Sequence, residues 1–511
     1  MRDCGRRFRR LEGTVTEPLL PVSPPPRAVV ESLASFIDPV EALLRVRRRR
    51  HPVLLLSGLE EHPASRHSIL AWDPLVVVAL RGGEATIARV AEGEERIERR
   101  AVRDPFDFLR TIAPAGAVQR GAPGVPFSGG AIGYLGYGLR RAVERLPMAP
   151  RDPLGQPDAW FGLYDRAVVF DHREKRVVLV STGLGASGER ERERRAAAGI
   201  ADMRSAMSGP AGPGACAPDR ALSPEAGPGR EVARRSARLR TSRRAYLAAV
   251  ARALEYIASG DLYQVNLSHR IECPFDGDPA GLFADLARCN PAPFAAYLDA
   301  GDFQVVSASP ERFVALTGSR VSSSPIKGTR PRGSSPEEDL RLSRELSESA
   351  KDRAENVMIA DLVRNDLGRV CETGSVRVER LCALESFATV HHLVSSVSGN
   401  LRPDADRMDL LKALFPGGSM TGAPKVRAME IIDELEGEER GIYSGGIGYL
   451  SLDGSMDFNI VIRTLVCASG LAHLRVGGAV VADSRPEQEH RETLDKARAL
   501  LDALGARLVD A

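Results

Sequence analysis

Ser322-Ser323-Ser324-Pro325-Ile326-Lys327-Gly328-Thr329-Arg330-Pro331-Arg332-Gly333 is a turn-rich stretch that holds one lysine among arginines. The chain carries 70 lysine and arginine residues, yet its lysines are only Lys175, Lys327, Lys351, Lys412, Lys425 and Lys496. Where a surface cation suffices, this sequence writes arginine. An amine can lose its proton near neutrality and a guanidinium cannot, so a surviving lysine is a candidate for chemistry closed to arginine. From this stretch alone two readings stay open for Lys327: a nucleophilic or substrate-gripping amine, and chance.

Composition bounds what surrounds it. At 511 residues, 43% hydrophobic and 27% charged, the chain can bury large cores and has roughly two to four domains' worth of sequence. A net charge of +2 calls for neither a nucleic-acid nor an anionic membrane partner. The seven cysteines are odd in number and scattered, with neither a disulfide framework nor zinc spacing, which suits a reducing cytoplasm. No apolar run approaches the ~18 residues of a membrane helix. The start, Met1-Arg2-Asp3-Cys4-Gly5-Arg6-Arg7, lacks the apolar core of a secretory signal.

Four regions follow from changes in character. Residues 1–28 are rich in arginine and proline and are expected as a disordered lead-in. Residues 29–182 open with a helix ending in Arg47-Arg48-Arg49-Arg50, where basic residues complement a helix C-terminus. Strand-like runs follow at Val53–Gly58, Leu75–Leu80 and Ala167–Phe170. The glycines of Gly129-Gly130-Ala131-Ile132-Gly133 read as tight sheet packing rather than a phosphate cradle, since no suitably capped helix follows. Residues 183–240 read as a charged helix followed by a Gly/Pro-rich linker. Residues 241–511 begin with a helix from Tyr246 to Ser259, stopped by Gly260, and then alternate strands and helices without an internal repeat.

In that last region carboxylates pair at helical spacing. Asp352 and Glu355 share a helix face, as do Glu489 and Glu492, and Lys496 lies one turn beyond Glu492. Two such pairs from distant segments can supply Mg²⁺ with oxygen ligands, and an ammonium beside them suits a substrate bearing carboxylates. An ordinary helix pair worth ~0.3 kcal/mol fits the Glu492/Lys496 spacing equally well. Gly417-Gly418-Ser419-Met420-Thr421-Gly422-Ala423-Pro424-Lys425 lacks the Gly-Lys-Ser/Thr ending of a P-loop. It reads instead as an anion-binding turn with Pro424 in the first turn of the next helix. His391-His392 follows a strand-like run, where a histidine is more often structural.

Taken together, several motifs carry a resemblance. Ser307-Ala308-Ser309-Pro310-Glu311-Arg312-Phe313, Pro325-Ile326-Lys327-Gly328-Thr329-Arg330, Lys351-Asp352-Arg353-Ala354-Glu355-Asn356 and Asp361-Leu362-Val363-Arg364-Asn365-Asp366 closely resemble the chorismate-utilising enzymes. So do Thr421-Gly422-Ala423-Pro424-Lys425 and Asp483-Ser484-Arg485-Pro486-Glu487-Gln488-Glu489. The likeness spans about residues 242–500 and is nearest to the aminodeoxychorismate synthase component I branch. It implies an α+β fold in which two large antiparallel β-sheets pack as a sandwich with helices outside, as in anthranilate synthase component I. It also implies a cytoplasmic transferase acting in p-aminobenzoate and folate biosynthesis.

The resemblance also implies a mechanism. Anthranilate synthases usually carry alanine where this chain has Lys327, and water-adding relatives place a lysine base where Gln264 stands, so amination is the implied reaction. Lys327 would add at C2 of chorismate while Glu311, as general acid, protonates the departing C4 hydroxyl, and ammonia would then enter at C4 and expel the lysine. Glu355 and Glu492 would hold Mg²⁺, with Asp352 and Glu489 in support. Gln264, Thr329, Thr421, Tyr443, Arg463, Gly478 and Lys496 match substrate-binding positions, and His392 matches the histidine near the reacting ring. Ser57, Ala64, Ser65, Arg66, His67 and Pro293, Phe294, Ala295, Ala296, Tyr297 match elements around a tryptophan pocket. None of the cysteines has a glutaminase setting, so a separate glutamine amidotransferase subunit is implied as ammonia source. The alternatives are anthranilate synthase component I and an inactive chorismate- or tryptophan-binding scaffold subunit.

Overall fold

The apolar run Val53–Leu56 is buried at three of its four positions, which calls for cover on both faces. It pairs on one side with the strand His67–Ala71 and on the other with Phe294–Asp299, more than two hundred residues away. In the computed structural model, this pairing belongs to a 13-stranded sheet that stands beside one of 12 strands. The structure describes residues 19–20, 28–59, 62, 65–91, 94–116, 124–147, 150–186, 188–209, 235–387 and 390–509.

Both sheets are antiparallel but for the short pairing of Arg235–Leu239 with Ala506–Leu508. They face each other across a core in which Val53, Ile69 and Val305 of one sheet meet Ile132, Trp160 and Ile447 of the other. Helices cover the outer faces. Pro279–Cys289 and Pro486–Ala503 pack on the larger sheet. Ala350–Gly368 and Arg407–Leu414 pack on the smaller. The sandwich with outer helices is thus the architecture expected from the resemblance.

The expected regions are interlaced. Strands of 29–182 and of 241–511 hydrogen-bond directly in both sheets, the second junction being Gly130–Leu135 with Gly446–Ser451. The stretch 183–240, expected as a linker, contributes to the fold wherever it is described. Its helix Glu189–Ser208 buries Ala196, Ile200, Met203 and Met207, and Arg235–Leu239 joins the larger sheet. Apolar residues at helical spacing within the charge run supplied that face, and the run's charges stay in solvent. Residues 187 and 210–234 lie outside the described residues, as does the lead-in except for 19, 20 and 28. The glycines of Gly130–Leu135 serve sheet packing: a Cβ on Gly133 would lie 1.9 Å from the Trp160 carbonyl oxygen.

Candidate active site

The quoted stretch around Lys327 is mostly strand, not turn. Arg320–Ser324 and Ile326–Pro331 both pair with Val390–Asn400, because their β-branched and alternating residues find a long partner there. What the glycine supplies is a bulge. The register slips between Lys327 and Thr329, and Gly328 takes φ +82°, a conformation that side chains disfavour. A Cβ there would also lie 2.9 Å from the Cβ of Asp352, so the strand passes close over the Ala350–Gly368 helix.

From this bulge the Lys327 amine donates to the Ser419 carbonyl at 3.2 Å. Burial pulls the amine below the ordinary lysine range, against the pull of Glu355 and Glu311. Glu311 is only 4% exposed, and burial pushes its carboxyl up to about 7, although Ser419 and Lys327 beside it work the other way. Ser419 thus accepts from the amine and lines the same small cavity as the acid. His392 is buried, its Nδ1 lies 2.8 Å from the Thr329 hydroxyl, and burial together with nearby Arg463 pulls it down to about 3. The ring is therefore neutral at physiological pH and acts as a hydrogen-bonding group, not a cation.

Arg463 is held at φ +52°, in the left-handed region, which costs a non-glycine residue ~1 kcal/mol or more. Its guanidinium makes no ion pair among the described residues and is depressed by burial. Tyr443, also buried, is pushed up to about 12. Neither polar atom of the buried Gln264 amide has a hydrogen-bond partner among the described residues. Thr421 is turned into its own loop, donating to the Gly417 carbonyl at 3.3 Å while its carbonyl accepts from Asn266 at 2.8 Å. Gly478 lies where a Cβ would come within 3.2 Å of Glu489 Oε2.

The carboxylate pairs lie on helices as their spacing predicts, Asp352 and Glu355 on Ala350–Gly368, Glu489 and Glu492 on Pro486–Ala503. Their present partners differ. Lys496 Nζ pairs with Glu492 at 2.8 Å and donates to the Gly477 carbonyl at 3.0 Å. Asp352 pairs with Arg330 at 3.1 Å, and Glu489 accepts from Ser484 at 2.6 Å. Glu355 has no hydrogen bond or ion pair among the described residues, and burial pushes it up against the pull of Lys327 and Lys351, with the charges of Asp352 and Glu492 adding to the rise. Among the described residues no three acidic, histidine or cysteine side chains converge as a ready cage. The donor set still fits Mg²⁺: it takes one or two protein carboxylates, and Glu355 and Glu492 are hard oxygen donors within electrostatic reach of each other.

The supposed tryptophan positions divide. Ser57, Arg66, His67, Pro293, Phe294 and Ala295 line a cavity of about 570 Å³ with Tyr449, Asp457 and Asn459. Ser65, Ala296 and Tyr297 are buried outside its lining, Tyr297 against Phe283. Ala64 lies outside the described residues. Sequence reasoning missed Ser419 as the partner of both Lys327 and Glu311. Its signal lay in the glycine-rich turn, which was read for anions. Lys351 was missed as well, an ammonium that acts on Glu355, Glu489 and Glu492.

With the site described, comparison decides the kinship. The description of chorismate binding enzymes matches residues 57–502. The chain belongs to that family. Anthranilate synthase component 1 of Thermus thermophilus is 41% identical over 476 residues, covering 92% of this chain and 96% of that protein. Aminodeoxychorismate synthase component 1 of Salmonella typhimurium is 40% identical over 455 residues, covering 88% and 92%. The crystal structure of anthranilate synthase component I from Streptococcus pneumoniae superposes with a TM-score of 0.71 at 33% identity, covering 87% and 93% of the two chains. This family member is therefore a chorismate-utilising enzyme whose relatives run more than one reaction. No helix among its described residues is long and apolar enough to cross a membrane.

Proposed function

We propose that the chain aminates chorismate to 4-amino-4-deoxychorismate, with ammonia from a glutamine amidotransferase subunit, in the cytoplasmic synthesis of p-aminobenzoate for folate. The observation that carries this reading is the pairing of Lys327 with Glu311 across Ser419, the amine lowered and the acid raised by burial. An amine that sheds its proton and a carboxyl that keeps one at neutral pH are what nucleophile and general acid require.

Lys327 attacks C2 of the ring, the two conjugated ring double bonds shift toward C4 and the C4–O bond breaks, and Glu311 gives its proton to the departing hydroxyl, which leaves as water. Ammonia then bonds to C4, both double bonds return, the Lys327 nitrogen leaves C2 with its electron pair, and the new ammonium gives a proton back to Glu311. Burial works to strip the proton from Lys327, and Glu355 and Glu311 oppose it. Mg²⁺ held by Glu355 and Glu492 would anchor the ring carboxylate and offset carboxylate charge that otherwise keeps a proton on Lys327. Arg463, Tyr443 and Lys496 offer donors to the substrate carboxylates, and the unpartnered amide of Gln264 offers both a donor and an acceptor without being a base. Asp352 and Glu489, on the same two helices, would add negative charge beside the metal ligands. The cavity at Ser57, Arg66 and Phe294 falls in the ~300–1,000 Å³ range of small-molecule sites and is assigned to tryptophan.

The second reading is anthranilate formation, favoured by the 41% identity to the Thermus thermophilus protein. The purified chain, given chorismate, Mg²⁺ and an ammonium salt near pH 7, separates the two by product mass. Aminodeoxychorismate without pyruvate is expected. Anthranilate with stoichiometric pyruvate would overturn the proposal, and absence of turnover would favour a scaffold role.

A further inference from the structure

Lys425 is another of the few lysines, and the proposed chemistry does not use it. It opens the helix Lys425–Glu436, and Leu414 closes the helix Arg407–Leu414. Between them the chain forms the turn Gly418–Met420 and the short strand Gly422–Ala423, which pairs with Gln264 and Val265. The Lys425 ammonium donates to Asp366 Oδ2 at 2.6 Å and to the Leu414 carbonyl at 3.0 Å. One cation therefore joins both ends of the loop and fastens them to the helix that carries Asp352 and Glu355. The pair is largely enclosed, with side chains 13% and 8% exposed, so solvent screens it little.

The loop so fastened is the wall against which the reacting groups rest. Its Ser419 carbonyl accepts from Lys327, its Gly417, Gly418 and Ser419 line a small cavity with Glu311, and its Met420 carbonyl accepts from Arg440 at 2.8 Å. We propose that Lys425 is a positioning residue: by tying Leu414 to Asp366 it holds the Ser419 carbonyl against the Lys327 amine and so aims that amine at the substrate. This rests on the reading of Lys327 as nucleophile. A reacting atom displaced by about 1 Å loses on the order of 100-fold in rate, which sets the scale of the effect.

The test uses the full chain and two readouts. Lys425→Met removes the charge but leaves Asp366 buried and unpaired, so Lys425→Met combined with Asp366→Asn serves as the variant free of that penalty. Acetic anhydride labelling of Lys327 relative to Lys496, read by peptide mass spectrometry without metal or substrate, reports the loop alone. Labelling of Lys327 should rise at least fivefold over Lys496 in both variants, and kcat with ammonium should fall at least tenfold while KM for chorismate stays within threefold. Lys425→Arg should fall between wild type and Lys425→Met on both measures. An unchanged labelling ratio in both variants, or a loss of kcat no greater than the loss of folded protein, would overturn the assignment. Should the wild-type chain release anthranilate and pyruvate, the amination reading fails while the labelling ratio still decides the role of Lys425.

Discussion

Replacing Glu311 with glutamine should make the protein more stable and nearly inactive. Its carboxyl is pushed from an ordinary value near 4.5 up to about 7, chiefly by burial. The folded chain therefore holds this proton more tightly than the unfolded chain. Between pH 4.5 and 7 stability from this group falls as pH rises, and above 7 the buried carboxylate is a full cost to the fold. A gap of about 2.5 pH units corresponds to ~3 kcal/mol. Glutamine has nearly the same shape, retains an oxygen for the Ile326 N–H that now lies 3.4 Å from Oε1, and carries no charge. Urea unfolding of both proteins from pH 4.5 to 8 should give coincident midpoints at the acid end and a steadily widening advantage for Glu311→Gln toward pH 8. Turnover with ammonium should meanwhile fall ~10²- to 10⁴-fold, the usual contribution of a general acid. A stability difference that stays flat across this range, or a variant that keeps its rate, would refute the assignment of Glu311 as a buried proton donor.

Lys327→Arg keeps the charge but cannot be deprotonated at working pH, so it should lose turnover by at least 100-fold, measured as product formed from chorismate and ammonium. In the wild type, chorismate without ammonia should leave a mass adduct on the Lys327 peptide that disappears when ammonium is added. The rate should fall on the alkaline side with a midpoint near pH 7 as Glu311 loses its proton, and Glu311→Gln should remove that fall. Chelation by EDTA should abolish turnover and excess Mg²⁺ restore it, while Glu355→Ala and Glu492→Ala stay folded by circular dichroism and retain under 1% of the rate. Gln264→Lys should yield a water-added product detectable by mass, and an unchanged product at every pH would count against the view that a missing base keeps water out.

Residue by residue, what was legible followed from local geometry. The spacing of Asp352 with Glu355 and of Glu489 with Glu492 placed each pair on a helix, because hydrogen bonds between neighbouring turns set that period whatever the helix packs against. The stop at Gly260, with φ +85°, and the packing of Gly133 were readable for the same reason, since a glycine's freedom is a property of one position. Chemical type was legible too: a lysine kept in an arginine-rich chain and an acid in the stretch Ser307–Phe313.

The tertiary structure alone decided which of these groups meet. Lys327 reaches Ser419 across 92 positions of sequence, and Lys425 reaches Asp366 across 59. The bulge that aims Lys327 exists only because Ile326–Pro331 pairs with Val390–Asn400 in a slipped register. The charge run at Glu189–Ser208 was legible as a helix, but that its few apolar residues dock on a sheet was not. Sheet register and helix docking are set by the joint burial of many distant side chains, a cooperative condition that no window of sequence contains. Burial is likewise what moves Glu311 up and Lys327 down, so the chemical identities lay in the chain and their proton affinities only in the fold.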